Sequence, residues 1–190
     1  MNQIYKLTKT KLKEVESINF NLEKEIQTIV ENNTGELFQI KLIKSEFSVG
    51  GYRIDSLCFD EESNSFVIIE YKKDRSYSVI DQGYSYLSTM LNNKADFFLE
   101  LIENSDLKIK RDQIDWSQSR IIFISTAFSS HQKNSVNFKD VPFQLWEISK
   151  FSSDLISFNQ ITSTSKESIT NIGGNNGSVI SDVGQEIEVY

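Results

Sequence analysis

Four polar residues interrupt apolar segments between Gly51 and Tyr86 in a pattern suited to phosphodiester chemistry. Asp55 closes Gly51-Tyr-Arg-Ile-Asp55, Glu70 and Lys72 end Val67-Ile-Ile-Glu70-Tyr-Lys72, and Gln82 opens Gln82-Gly-Tyr-Ser-Tyr86. Val67, Ile68 and Ile69 are β-branched and read as a buried strand. Side chains two apart on a strand share a face, so Glu70 and Lys72 point the same way. Phosphodiester cleavage calls for a divalent cation that offsets phosphate charge and lowers the pKa of an attacking water. Mg²⁺ (or Mn²⁺) takes hard oxygen donors, commonly one or two carboxylates with waters completing the shell. Asp55 and Glu70 are the candidate metal ligands, and Lys72 is the candidate catalytic cation, directed at transition-state charge.

Whether the two carboxylates meet depends on the elements that carry them. Tyr52 to Asp60 and Phe66 to Lys72 read as two strands joined by the polar turn Glu61-Glu-Ser-Asn-Ser65. Opposed residues of an antiparallel pair share a face, so Asp55 sits opposite Glu70 only if paired residue numbers sum to 125. That register needs an even loop, such as Glu61 to Asn64; an odd loop without a bulge turns Asp55 away. Downstream, Ser76 or Ser78 can cap a helix running to about Asn92, with Val79, Gln82, Tyr86 and Met90 recurring at helical spacing. Gln82 and Tyr86 share a face and could brace the catalytic carboxylate or contact a nucleic-acid backbone. Upstream, Leu22 to Val30 reads as a helix with Leu22, Ile26, Ile29 and Val30 inward. Glu23 and Glu25 flank that stripe, and either could reach a metal.

The order of helix Glu, Gly-Tyr-Arg-Ile-Asp55, Ile-Ile-Glu70-Tyr-Lys72-Lys and Gln82-Gly-Tyr-Ser-Tyr86 resembles the PD-(D/E)XK nuclease superfamily. The Gln-Xaa-Xaa-Xaa-Tyr element is similar to that of its RecB-type exonuclease branch. The run Asn21 to Leu87, with Phe143-Gln-Leu-Trp-Glu-Ile148 and Leu155 to Gln160, also resembles an uncharacterised prokaryotic family. Its members pair such a nuclease-like domain with a C-terminal domain of unknown function, DUF5655. The resemblance implies a restriction-endonuclease-like core. It also implies that Asp55 and Glu70 are the metal-binding acids, Lys72 the catalytic lysine, and Gln82 and Tyr86 the motif helix. Glu23 matches the acid of the first helix, with Glu25 beside it. The motif proline is absent, because Ile54 precedes Asp55.

Each feature also has a plain structural reading. A lone Glu-Xaa-Lys on a strand is more often a surface ion pair worth at most about 1 kcal/mol. Gln82 and Tyr86 equally suit the tips of an amphipathic helix, and Glu23 suits a helix start favoured by the dipole. It is the combination that points to a site. Other chemistries find little material. Cys58 is the single cysteine and reads as a small buried hydrophobe. His131 is the single histidine and sits near a predicted helix start, which leaves no Cys/His zinc set.

One cysteine, no signal-type N-terminus and no long apolar run fit a cytoplasmic protein. The net charge of -7 is unusual for a nucleic-acid partner. Lys41, Lys44, Arg53, Lys72, Lys73 and Arg75 nevertheless cluster in sequence around the candidate site, and Lys108, Lys110 and Arg111 form a second group. Salt-sensitive binding of DNA is expected, with a partner protein, a C-terminal domain or a homodimer left to supply further surface.

The coarse organisation is α/β, a mixed β-sheet flanked by helices on both faces. A first helix to about Asn32 leads into strands near Leu37 to Phe47, Tyr52 to Asp60 and Phe66 to Lys72. The motif helix and a helix near Ala95 to Glu103 follow. Arg120 to Ser125 is a further strand, Ser129 to Phe138 a helix, and Pro142 to Ile148 the strand that closes the sheet. Residues 1–161 are read as the nuclease-like domain and 162–190, rich in Ser, Asn and Gly, as a flexible linker or tail. The expected function is a metal-dependent DNA endonuclease or exonuclease acting in restriction, defence or repair. The alternative is a catalytically inactive nuclease-fold module that binds nucleic acid or a partner protein.

Overall fold

A computed structural model describes residues 3–73, 79–138 and 140–168. The described residues form a seven-stranded mixed sheet with helices on both faces, plus a separate two-stranded ribbon. The ribbon comprises β1 (Tyr5–Thr8) and β2 (Lys11–Glu14), followed by the short β3 (Ser17–Ile18). Then come α1 (Glu23–Glu31), α2 (Thr34–Phe38), β4 (Lys41–Val49), β5 (Tyr52–Asp60) and β6 (Ser65–Lys72). The helices α3 (Val79–Asn92) and α4 (Lys94–Glu103) cross to β7 (Arg120–Ser125), and α5 (Ser130–Ser135) crosses to β8 (Phe143–Phe151). The last strand among the described residues is β9 (Leu155–Ile161).

The sheet order is β3-β8-β7-β6-β5-β4, with β9 on the other side of β8. Strands β6, β7 and β8 are parallel, whereas β4, β5 and β9 pair antiparallel to their neighbours. The parallel centre is buried on both faces, which accounts for the unbroken apolar runs of Phe66–Ile69 and Ile121–Ile124. On one face Leu57, Phe66, Phe123 and Leu145 pack with Met90 and Phe97 of α3 and α4. On the other, Cys58, Val67, Ile69 and Ile122 pack under Ile26 and Val30 of α1.

Two turns fix the site-bearing strands. Gly50 and Gly51 have φ of +57° and +81°, the two left-handed positions of a tight hairpin between β4 and β5. Between β5 and β6 the Asp60 carboxylate accepts the Glu62 and Ser63 N–H groups at 3.0 and 3.1 Å, and Asn64 turns left-handed at φ 49°. Ser65, expected in the turn, joins β6 and pairs with Asp60, so the loop shortens to Glu61–Asn64 and the ladder runs Ser56↔Ile69 to Asp60↔Ser65, the even register that brings Asp55 to Glu70.

Several sequence expectations need correction. The strand expected from Leu37 begins at Lys41, because residues 34–38 form α2, whose end turns left-handed at Gln39 (φ 56°) with Leu37 and Phe38 against the α1-side core. The strand around Pro142–Ile148 is longer and does not close the sheet, since β9 and β3 both pair with it. The N-terminal ribbon was not anticipated, since a short exposed strand pair has no buried face to write an apolar alternation. Helix α5 is shorter than the Ser129 to Phe138 span, although Ser129 and Gln132 cap it reciprocally. The candidate caps Ser76 and Ser78, and Arg75, lie outside the described residues. Much of the proposed tail does too, but Ser163–Ser165 fold back to the Asn137 side-chain oxygen. Among the described residues no helix is long and apolar enough to cross a membrane.

Candidate active site

At Asp55 the backbone pairing of β5 and β6 ends, and a side chain takes over. The Tyr71 N–H donates to Asp55 Oδ2 at 3.1 Å. Two residues on, the Lys73 N–H donates to Glu23 Oε2 at 2.9 Å, so a carboxylate from α1 meets the same strand end. From the other side, α1 holds Asp55 by its main chain: Gln27 Nε2 donates to the Asp55 carbonyl at 3.2 Å and to Glu31 at 2.9 Å. Ser56 gives its proton to Glu31 at 2.7 Å, so the buried Tyr71 hydroxyl, 2.9 Å away, donates to Ser56. This polar chain fixes the strand pair directly behind the carboxylates.

Glu70 is 2% exposed and converges with Lys72, Gln82 and Tyr86. Lys72 Nζ donates to Glu70 Oε1 at 2.5 Å and Gln82 Nε2 donates to the same oxygen at 2.7 Å. Gln82 also donates to the Tyr86 hydroxyl at 2.6 Å, which in turn donates to the Arg53 carbonyl at 3.1 Å. The i, i+4 pair of α3 thus bridges both strands of the β5–β6 hairpin. Gly83 makes this approach possible. A Cβ there would lie 2.9 Å from both the Phe123 and Phe143 rings.

Charge is stored at this point. Burial, reinforced by the neighbouring Asp55 carboxylate, pushes Glu70 up to about 7. Burial also raises Asp55, although the Tyr71 N–H and Lys72 oppose the shift. Two neighbouring carboxylates are thus both pushed up by burial, and each charge disfavours the other. Burial alone would pull the Lys72 ammonium down, but the Glu70 carboxylate keeps it above the usual lysine range. Burial, then the Glu70 charge, raises the Tyr86 phenol, so it remains a neutral donor.

The residues present fit a hard divalent cation. Glu70 Oε2 is buried and has no hydrogen-bond partner among the described residues, and Asp55 is its carboxylate neighbour. Among the described residues no group of three or more Asp, Glu, His or Cys side chains gathers. A two-carboxylate set with the remaining positions left to water is the pattern of Mg²⁺ rather than zinc.

Of the six candidate residues, Asp55, Glu70, Lys72, Gln82 and Tyr86 come together, and Glu23 reaches the adjoining backbone. Glu25 instead pairs with Lys150 Nζ at 2.5 Å and accepts the Asn21 N–H at 3.1 Å, away from the carboxylates. Part of the anticipated basic cluster is already paired: Lys44 with Glu100 at 2.8 Å and Arg53 with Glu46 at 3.2 Å. Gln27, Tyr71 and Gly83 were missed by sequence reasoning. Gln27 carried a signal, being four residues after Glu23 on one helix face and beside the inward-facing Ile26. Buried Cys58, whose thiol burial pushes up, is a core residue as expected.

No family model matches the chain. An uncharacterized protein of Haemophilus influenzae is 46% identical over 159 residues, which is 84% of this chain and 53% of the relative. The chain thus spans about half the length of that relative. Solved structures give looser overlaps. The EndoMS–dsDNA2 complex overlaps with TM-score 0.47 and 17% identity, over 68% of this chain and 47% of that one. A repair endonuclease from Pyrococcus abyssi gives 0.46 and 16%, over 68% and 49%. Pyrococcus furiosus SfsA in complex with Ca²⁺ gives 0.37 and 16%, over 72% and 61%.

Proposed function

We propose that this chain is a Mg²⁺-dependent DNA nuclease domain of the PD-(D/E)XK type, in the QxxxY branch. One observation carries the reading. A buried Glu70 has one oxygen held by Lys72 and Gln82 and the other left without a partner beside Asp55. A fold gains nothing from an unsatisfied buried carboxylate oxygen next to a second carboxylate.

Asp55 and Glu70 would hold the cation. When bound, it would supply charge neutralisation at the phosphate and acidify an attacking water. Gln82 and Tyr86 keep Glu70 in one orientation by bonds that themselves end on the protein backbone. Lys72, moved off Glu70 when the carboxylate takes another partner, presents a full positive charge to developing phosphate charge. Glu23, holding the Lys73 N–H, fixes the end of the strand on which Lys72 sits.

The second reading, a nuclease-fold module that binds without cutting, draws on the Lys72–Glu70 pair being self-satisfied at 2.5 Å and on the net charge of -7. The test is incubation with linear, circular, single-stranded and forked DNA in Mg²⁺ or Mn²⁺, beside Asp55→Ala and Lys72→Ala. Metal-requiring cleavage lost in both variants supports the nuclease. DNA binding without cleavage, and no Mn²⁺ uptake by calorimetry, supports the binding module.

A further inference from the structure

The β1–β2 ribbon is built unlike the rest of the molecule. Its register pairs Tyr5 with Glu14, Lys6 with Lys13, Leu7 with Leu12 and Thr8 with Lys11. Opposed residues share a face, so Lys6, Lys11 and Lys13 lie together, with Lys9 at the tip in a left-handed turn (φ 56°). Tyr5, Leu7 and Leu12 occupy the reverse face. All eight strand residues are exposed. Met1 to Glu14 contains four lysines and one acid in a chain of net charge -7. Among the described residues none of those lysines forms an ion pair.

Such a ribbon is costly as pure scaffold. Two lysines placed directly opposite each other repel, and a lone two-stranded hairpin is marginal in water. Its base is clamped to the sheet. The Val15 N–H donates to the Ile4 carbonyl at 2.8 Å, the Ser152 N–H donates to Glu16 at 2.8 Å, and β3 pairs with β8. That base sits at the C-terminal edge of β6, β7 and β8, the edge at which β6 ends with Lys72. A cleft of about 770 Å³ separates Ile4, Val15 and Glu16 from Thr126, Ala127 and Phe128 in the loop after β7. Thr126 Oγ1 donates to the Lys73 carbonyl at 2.6 Å, one residue beyond Lys72.

We propose that the β1–β2 ribbon is a duplex-DNA contact, its lysine face set against phosphates next to the Asp55–Glu70 site. The proposal rests on the nucleic-acid reading above and adds where the duplex is held. A duplex offers one negative charge about every 1.7 Å along its axis, and a two-stranded ribbon matches the width of its major groove. In an acidic protein the cations that meet this polyanion must be concentrated, and the ribbon concentrates them. An acidic protein partner would also meet lysines, but the ribbon rises from the sheet edge at which β6 ends with Lys72, which favours DNA.

The experiment measures duplex affinity by fluorescence anisotropy as a function of KCl. It compares the Asp55→Ala chain, chosen to prevent cleavage, with the same chain carrying Lys6→Gln, Lys11→Gln and Lys13→Gln. These exposed changes leave the core untouched, and a matching circular dichroism melt confirms the fold. The expected result is weaker binding and a plot of log affinity against log salt shallower by about 3. Unchanged affinity and slope in the lysine variant, with the duplex still bound, overturns the ribbon contact and leaves the nuclease reading standing. No duplex binding by either protein removes the nucleic-acid reading together with the ribbon's role. A Leu7→Ser, Leu12→Ser variant that loses self-association in sedimentation, while the lysine variant binds DNA normally, assigns the ribbon to a protein interface instead.

Discussion

Tyr71 donates its main-chain N–H to the Asp55 carboxylate at 3.1 Å, where the β5–β6 ladder would otherwise have continued. The bond makes Asp55 both a structural acceptor and a candidate ligand, and two substitutions separate these roles. Asp55→Asn keeps an oxygen for Tyr71 and loses the charge. Asp55→Ala loses both. Cleavage should fall by about 10²-fold or more in each. In EDTA, urea unfolding should find Asp55→Ala less stable than Asp55→Asn by about 1–3 kcal/mol, the cost of an unpaired N–H. Equal stabilities would show that the Tyr71 bond carries no weight.

The raised pKa of Glu70 has a definite sign in stability. Folded Glu70 holds its proton up to about pH 7, whereas the unfolded side chain releases it near 4.5. Across that interval the folded state binds the extra proton, so stability is lost as pH rises. The metal-free protein should lose up to about 3 kcal/mol between pH 4.5 and 7 from this group. Glu70→Gln should flatten the dependence and exceed wild type in stability at pH 8, at the expense of activity. Thermal melts in EDTA across pH 4 to 8 check it, and a Glu70→Gln melt lower than wild type at pH 8 would sink the account.

Gly83 reverses the usual helix rule. On an exposed helix, alanine improves on glycine by about 1 kcal/mol. Here a Cβ would meet the Phe123 and Phe143 rings at 2.9 Å, so Gly83→Ala should destabilise by about 1–3 kcal/mol through overpacking. Because Gln82 and Tyr86 ride on the same helix, kcat should fall as well. A urea midpoint at or above wild type would refute this close packing.

Glu23 and Glu25 should diverge. Glu23→Gln touches the Lys73 backbone beside Lys72 and should lower kcat by about tenfold, a loss typical of misplaced positioning groups. Glu25→Gln removes a partly exposed pair with Lys150 and should cost no more than about 1 kcal/mol of stability, with kcat unchanged. Parallel activity assays and melts on the two variants read this directly, and equal activity losses would reject the distinction.

Local rules in the sequence determined much of the site. Strand parity puts Glu70 and Lys72 on one side, and i, i+4 spacing joins Gln82 to Tyr86. Each of these is a property of consecutive residues. Only the tertiary structure decided that Glu23 rather than Glu25 faces the strand end, because both flank the same apolar stripe and the choice depends on the angle of α1 to the sheet. It also decided that β3 pairs with β8, and that Gln27 holds Asp55 from behind. Those contacts join segments far apart in the chain, and no periodicity within either segment encodes the partner it meets.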